Sequence, residues 1–185
     1  MKKLLSSLVV LALCSSVALA TVPDPPKCAV TPWDALQGVV LAPDVPSPIP
    51  SSIGTLTIRN SNNQPINNAA VNITFGSGLC YCATMNFNAT TNAQGVATLT
   101  LRGGGCIDNV ANAAVIRANG VIIRAYNNAK SPDWAPGCDL RINLSDLLRQ
   151  SPLNDPCHDY DNNGVQNLSD ILLFTTGYTP AHSCN

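Results

Sequence analysis

A chain of 185 residues with 45% hydrophobic but only 11% charged residues and a formal charge of −1 is poor material for disorder. It also lacks the basic patch with interleaved aromatics that nucleic-acid binding requires. Its polarity comes largely from Asn, Ser and Thr, which suits an exported β-rich protein of one medium or two small domains.

In chain order, Met1-Lys2-Lys3, the apolar run Leu8 to Leu13 and Ala18-Leu19-Ala20 read as a secretory signal peptide over residues 1–20. Its apolar core is too short for a membrane anchor. Loss of Lys2 and Lys3 would take the formal charge from −1 to −3. Leu11 to Cys14 faintly resembles a lipoprotein site, but Leu13 is too large for the residue before the cysteine. No later stretch is long and apolar enough to span a bilayer.

Residues 21–35 form a Pro-rich lead (Pro23, Pro25, Pro26, Pro32) expected to resist regular structure. From 36 to 130 the pattern is strands and turns. Leu36 to Leu41 reads as a first strand. Thr55 to Arg59 places Leu56 and Ile58 on one face, and Ala70 to Phe75 does so with Val71, Ile73 and Phe75. Gly95 to Leu101 alternates likewise. Gly103-Gly104-Gly105 lacks the Lys and Ser/Thr of a phosphate-binding loop and reads as a β-turn. Asn119-Gly120, between Val115–Ala118 and Val121–Arg124, predicts a two-residue hairpin.

Short strands at this spacing argue for an antiparallel β-sandwich. Asn63 to Ile73 resembles the second-strand region of bacterial immunoglobulin-like and carboxypeptidase-regulatory-like domains, and Thr90 to Ala97 resembles their hairpin. The resemblance implies an immunoglobulin-like sandwich acting as spacer, stalk or adhesive module, without chemistry of its own.

Residues 131–185 change character. Asp159 to Asp170 carries oxygen-bearing side chains at positions 1, 3, 5, 9 and 12 of a twelve-residue loop, with Gly164 at position 6. Calcium takes six to eight oxygens, and a loop wraps it only if a sharp turn at position 6 swings the later ligands back. Candidate ligands are Asp159, Asp161, Asn163 and Asp170, the Val165 backbone carbonyl, and Asn167 through a water. The plain alternative is an Asp/Asn-rich surface turn. Asp170 also suits a helix start, where it meets exposed N–H groups.

Ile142 to Leu148 echoes Gln166 to Leu172, 24 residues later. Counting back from Asp146 places Asp139, Arg141 (by its backbone) and Asn143 at ligand positions, but Ala135 and Gly137 at positions 1 and 3. Asp133 could take position 1 only if this loop carries two extra residues. Alternatively, a disulfide through Cys138 clamps the loop in place of a metal.

Duplicated loop-helix units at this spacing resemble dockerin modules, which anchor secreted proteins by binding cohesin domains. The resemblance implies Ca2+ in each loop and a small α-helical module, with helices near Leu144–Gln150 and Leu168–Thr176. It also implies a protein partner, cohesin-like or another surface scaffold, met by Leu144, Ser145, Leu168 and Ser169, with polysaccharide contacted only indirectly. The alternative is that both leucines pack into the module core. Gln166 departs from the pattern at position 8, where an apolar residue is expected.

Beyond Cys14, seven cysteines remain: Cys28, Cys80, Cys82, Cys106, Cys138, Cys157 and Cys184. Cys80-Tyr81-Cys82 lacks further ligands at zinc spacing, so structural disulfides are expected. Position along the chain favours one of Cys80 and Cys82 with Cys106, and two of Cys138, Cys157 and Cys184 with each other. One cysteine is left free or bonded to another chain. Neither His158 nor His182 has a convincing nucleophile beside it, so no catalysis is expected.

The sequence thus leads to a mostly β, secreted, non-catalytic calcium-binding protein attached to an extracellular or cell-surface assembly. One alternative is a self-associating structural or adhesive subunit cross-linked by the odd cysteine, with calcium purely structural. Another is a carbohydrate-binding accessory protein stacking sugars on Trp33, Tyr81 or Trp134.

Overall fold

Alternating apolar residues build the central strands. In the computed structural model, which describes residues 21–43, 49–134, 138–149, 155–178 and 183–184, β3 (Ile53–Thr57) buries Leu56 and β4 (Ala70–Phe75) buries Val71 and Ile73. β7 (Val96–Thr100) buries Ala97 and Leu99. This is the period of two that one-faced burial demands. Between β9 (Ala114–Ala118) and β10 (Val121–Tyr126), Asn119 and Gly120 take φ 48° and 81°, the left-handed pair that suits a two-residue hairpin. The expectations for residues 1–20, Ala135, Gly137 and His182 lie outside the described residues.

The remaining strands are β1 (Ala29–Thr31), β2 (Val39–Val40), β5 (Leu79–Tyr81), β6 (Asn88–Thr90), β8 (Gly103–Ile107) and β11 (Ala129–Lys130). They form three sheets, ordered β1-β3-β7, β10-β9-β4-β6 and β2-β11-β8-β5, and one apolar core draws on all three. Among the described residues, only β2 and β11 pair in parallel. The protein is therefore β-rich with few helices.

The Pro-rich lead is not irregular. Ala29–Thr31 adds an edge strand against β3, and α1 (Trp33–Leu36) drops the fully buried Trp33 into the core. Its indole N–H donates to the Ser51 carbonyl at 3.0 Å. Gly54 lies under the ring, where any Cβ would overlap it. Prolines mask this in the sequence because they weaken helix and strand signals alike. The first strand shrinks to Val39–Val40, since Leu36 ends α1 and Gln37 turns left-handed at φ 52°.

A polar clamp holds the lead in place. Asp34 accepts from Val30 N–H (2.9 Å), Arg124 Nε (2.9 Å) and the Tyr126 hydroxyl (2.6 Å), while Arg124 donates to the carbonyls of Pro25 and Cys28. Burial pushes the Asp34 acidity one way, but the bonds from Tyr126 and Arg124 outweigh it and hold the carboxyl below its usual range.

The glycine triplet forms strand β8 instead of a turn. Small size is the reason: a Cβ on Gly103 would strike the Cys80 carbonyl, and one on Gly104 would strike the carboxylate of Asp133 and the sulfur of Cys138. Three chain segments meet where only glycine leaves room.

The cysteine pairing also departs from expectation. Cys80–Cys138, Cys82–Cys184 and Cys106–Cys157 stand at disulfide distance, with Cα separations of 6.3, 5.3 and 5.7 Å. Antiparallel register puts Gly104, not Cys106, opposite Cys80, so neither expected pairing within β5–β8 nor one within the tail occurs. Every bridge instead ties the β-rich part to the tail. The odd thiol is Cys28, buried, with Sγ 3.4 Å from the Arg59 amide nitrogen, and burial pushes its pKa up.

In the tail, α2 (Leu144–Arg149) and α3 (Leu168–Tyr178) stand where the repeat places them. Ile142, Tyr160 and Phe174 share a second small core with Ala42 and Ile49 from the β-rich part. The described residues contain no helix long and apolar enough to cross a membrane.

Candidate metal centres in the paired loops

Loop two begins with backbone turns that its own side chains direct. Asn162 and Gly164 adopt φ 54° and 88°, conformations that Asn and Gly tolerate best. The Asp159 carboxylate accepts from the N–H groups of Asn163 (3.0 Å) and Gly164 (2.9 Å), closing the loop on its first residue. Asp170, at the start of α3, accepts from Tyr160 (2.7 Å), Asp161 (3.1 Å) and Asn167 (2.8 Å). Ligand oxygens of Asp159, Asp161 and Asp170 thereby lie within 4.8 Å of one another. Asn163 accepts from Val165 N–H, Asn167 donates to the Val165 carbonyl, and both side chains stay exposed. Burial, with the charge of Asp161 beside it, raises the Asp170 pKa against those bonds.

The first loop repeats this backbone. Cys138 and Leu140 take φ 50° and 59° at the places of Asn162 and Gly164. Asn143 N–H donates to Asp146 at 2.8 Å, as Asn167 N–H does to Asp170 at 2.8 Å. Ser145 N–H reaches Asn143 at 2.7 Å, matching Ser169 and Asn167 at 2.9 Å. Arg141 contributes its N–H to Asp139 and bridges Ser183. Leucine in the left-handed region marks this loop's shape as imposed by its surroundings, not by its own preference.

The residue brought into position 1 is Asp133, the candidate that needed two extra residues. Its carboxylate gathers with those of Asp139 and Asp146 within 4.8 Å. It is fully buried, and neither oxygen makes a well-formed hydrogen bond among the described residues, the Leu140 N–H acting on the carboxylate only weakly. Burial, then the charges of Asp146 and Asp139, push its pKa up to about 7. A buried carboxylate facing two others is the state that a cation relieves. Both donor sets are all oxygen, which suits a hard cation over zinc or copper. Cys138 beside the first set is held in its bridge to Cys80, so the disulfide accompanies the carboxylate cluster instead of replacing it.

Sequence reasoning gave no hint of Lys130. Its fully buried ammonium lies 2.9 Å from Asp108 and 3.5 Å from Asp159, tying β11 to the first residue of loop two. A single lysine in an Asn-rich stretch carries no pattern, and only the fold supplies its partners. Gln166, the residue out of pattern, is buried beside His158, and the Trp134 indole N–H donates to Nε2 of that histidine. Burial lowers the His158 basicity.

Of the expected partner-binding residues, Leu144 and Leu168 are 56% and 68% exposed, so neither packs into the core. Ser145 is exposed, and Ser169 is half-buried with its hydroxyl on Asp161. The repeat exposes its apolar residues in matched pairs, Leu144 with Leu168, Leu147 with Ile171 and Leu148 with Leu172. Of the three stacking platforms considered, Trp33 is excluded because it is core.

Without added metal, Asp133 carries its own pH signature. Its pKa in the folded state lies above the unfolded value of 3.8, so the stabilisation is complete below about pH 4 and is lost as pH rises to about 7. Melting of the wild type relative to Asp133→Asn should therefore decline across that window, and parallel curves would contradict it. The chain matches no protein-family model, no curated protein and no solved structure.

Proposed function

We propose that the chain is a secreted, non-catalytic calcium-binding protein that joins an extracellular or cell-surface assembly through a dockerin-like pair of loop-helix units. An immunoglobulin-like sandwich would serve as its spacer or adhesive body. The observation that carries this reading is the shared loop geometry: two carboxylate triads, each closed by the same Asn-to-Asp and Ser-to-Asn bonds ahead of a helix. Twice-repeated oxygen clusters fit two calcium ions, with Asp133, Asp139, Asn143 and Asp146 at one, and Asp159, Asp161, Asn163, Val165, Asn167 and Asp170 at the other. Calcium would supply charge balance among these carboxylates and lock the loops from which the helices start.

The exposed leucine and isoleucine pairs supply the docking face. Unpaired apolar side chains on two helices, rimmed by Ser145 and Ser169, are what a protein partner covers. Three bridges at disulfide distance agree with an oxidising compartment. Burial of Cys28 speaks against the self-associating alternative in its cross-linked form, because a thiol inside the core does not meet another chain.

Calorimetry with calcium tests the metal step. For a dissociation constant near 10⁻⁴ M, about 1 mM calcium stabilises the native state by about 1.4 kcal/mol per site. That corresponds to a rise in melting temperature of roughly 3–6 °C per site. Asp159→Ala with Asp170→Ala should remove the second site's share of this increment. The increment is the readout, because Asp170 also caps α3 and its loss lowers melting without calcium. No heat of binding and no increment in the wild type would end the calcium reading. For the docking face, Leu148→Asp with Leu172→Asp should abolish calcium-dependent capture of a partner from culture supernatant while leaving calcium uptake intact.

A further inference from the structure

A buried aspartate fills position 1 of each candidate metal loop, and the two stand in opposite electrostatic states. Asp133 of the first loop is fully buried, and apart from a weak interaction with the Leu140 N–H its carboxylate makes no well-formed hydrogen bond among the described residues. The charges acting on it, those of Asp146 and Asp139, are both negative. Asp159 of loop two is 6% exposed, yet both its oxygens are engaged. Oδ1 accepts from the Asn163 N–H at 3.0 Å. Oδ2 accepts from the Gly164 N–H at 2.9 Å and stands 3.5 Å from the Lys130 ammonium.

The β-rich part fixes both states. Lys130 is 1% exposed, lies on β11 between β2 and β8, and is anchored on Asp108 at 2.9 Å. The Asp133 carbonyl is held by the Gly105 N–H at 2.7 Å, and its carboxylate stands over Gly104, where a Cβ would strike it. A buried carboxylate short of donors gains most from an entering cation, because the ion replaces the solvation that burial removed. A carboxylate that already faces an ammonium gains less, and the ammonium repels the ion across a single ligand oxygen. A unit charge at that range weakens binding of a divalent ion roughly 10-fold even under aqueous screening. Loop two matches the ligand spacing better, but the balance of charge at position 1 runs the other way.

We propose that calcium fills the first loop before loop two, and that Lys130 is the residue that holds the affinity of loop two down. The inference rests on the calcium reading above and adds to it an order of filling that ligand spacing alone would reverse. At calcium levels between the two affinities, the first triad is neutralised while Asp159 still relies on the lysine for its charge balance.

Amide chemical-shift titrations of the disulfide-intact chain with calcium chloride test it, because each loop reports separately. In the wild type, the amides of Asp139, Asn143 and Asp146 should saturate at calcium concentrations roughly 10-fold or more below those that saturate Asp161, Asn163 and Gly164. Lys130→Met should tighten loop two roughly 10-fold and leave the first loop nearly unchanged. Asp108→Asn, at a side chain 31% exposed, should act in the opposite direction and weaken loop two further, since the ammonium then leans on Asp159 alone. A lysine that only supported the fold would weaken loop two when removed, so the sign separates the two roles. Should Lys130→Met fail to fold, the wild-type order and Asp108→Asn still decide. Loop two filling first or together with the first loop, or either folded variant failing to move loop two in its stated direction, would overturn the inference and leave calcium binding standing. Shifts in neither loop at any calcium level would remove the calcium reading as well.

Discussion

Cys106→Ala with Cys157→Ala is expected to lower stability by about 4 kcal/mol and melting temperature by about 8–16 °C. The two cysteines are 51 residues apart, and closing a loop of that length removes about this much free energy from the unfolded ensemble. The effect reaches the candidate metal loop, because Cys157 lies just before Asp159 and holds its entry against β8. Calcium affinity should therefore fall together with stability. Non-reducing peptide mapping of the wild type tests the pairing itself, and recovery of a Cys80–Cys106 peptide would refute it. Full reduction should cost more than this one bridge but less than three times as much, since the bridged loops overlap and their contributions do not add.

Trp33→Ala should cost about 3–5 kcal/mol, the range for emptying a large buried aromatic site. Two terms combine: the cavity beside Gly54, and the Ser51 carbonyl deprived of its indole donor. Trp33→Phe separates them, keeping much of the volume and losing the hydrogen bond, and should fall between wild type and alanine. Gly54→Ala should destabilise by about 1–3 kcal/mol from the opposite direction, by overpacking against the ring. Urea titrations read both, with a lowered midpoint at unchanged slope. A Trp33→Ala cost below about 1 kcal/mol would mean that the lead does not dock.

Much of the β-rich part is legible because its strands are one-sided. Leu56, Val71, Ile73, Ala97 and Leu99 are buried at alternate positions, and a period of two survives in any arrangement of the sheets. The Asn119-Gly120 hairpin is legible because two consecutive left-handed residues admit few other sequences. The lead was not legible: its prolines hide a strand and a buried tryptophan, and nothing local indicates that Gly54 awaits the ring. The glycine triplet misleads for a related reason. Glycine signals both turns and close approach, and only the neighbours Cys80, Asp133 and Cys138 decide between them.

In the loops, the residues themselves specify the Asp159–Asp170 pattern and its echo 24 residues earlier, because ligand spacing and helix caps are local. Which aspartate completes the first triad is not local. Asp133 reaches it because Gly104 admits its carboxylate and the Gly105 N–H fixes its carbonyl at 2.7 Å. The disulfide map and the Lys130 tie belong to the same class. Short-range order was written in side-chain period and turn chemistry, whereas contacts between distant segments depend on how the sheets and tail pack. Only the tertiary structure decided those, because packing acts on the whole chain at once.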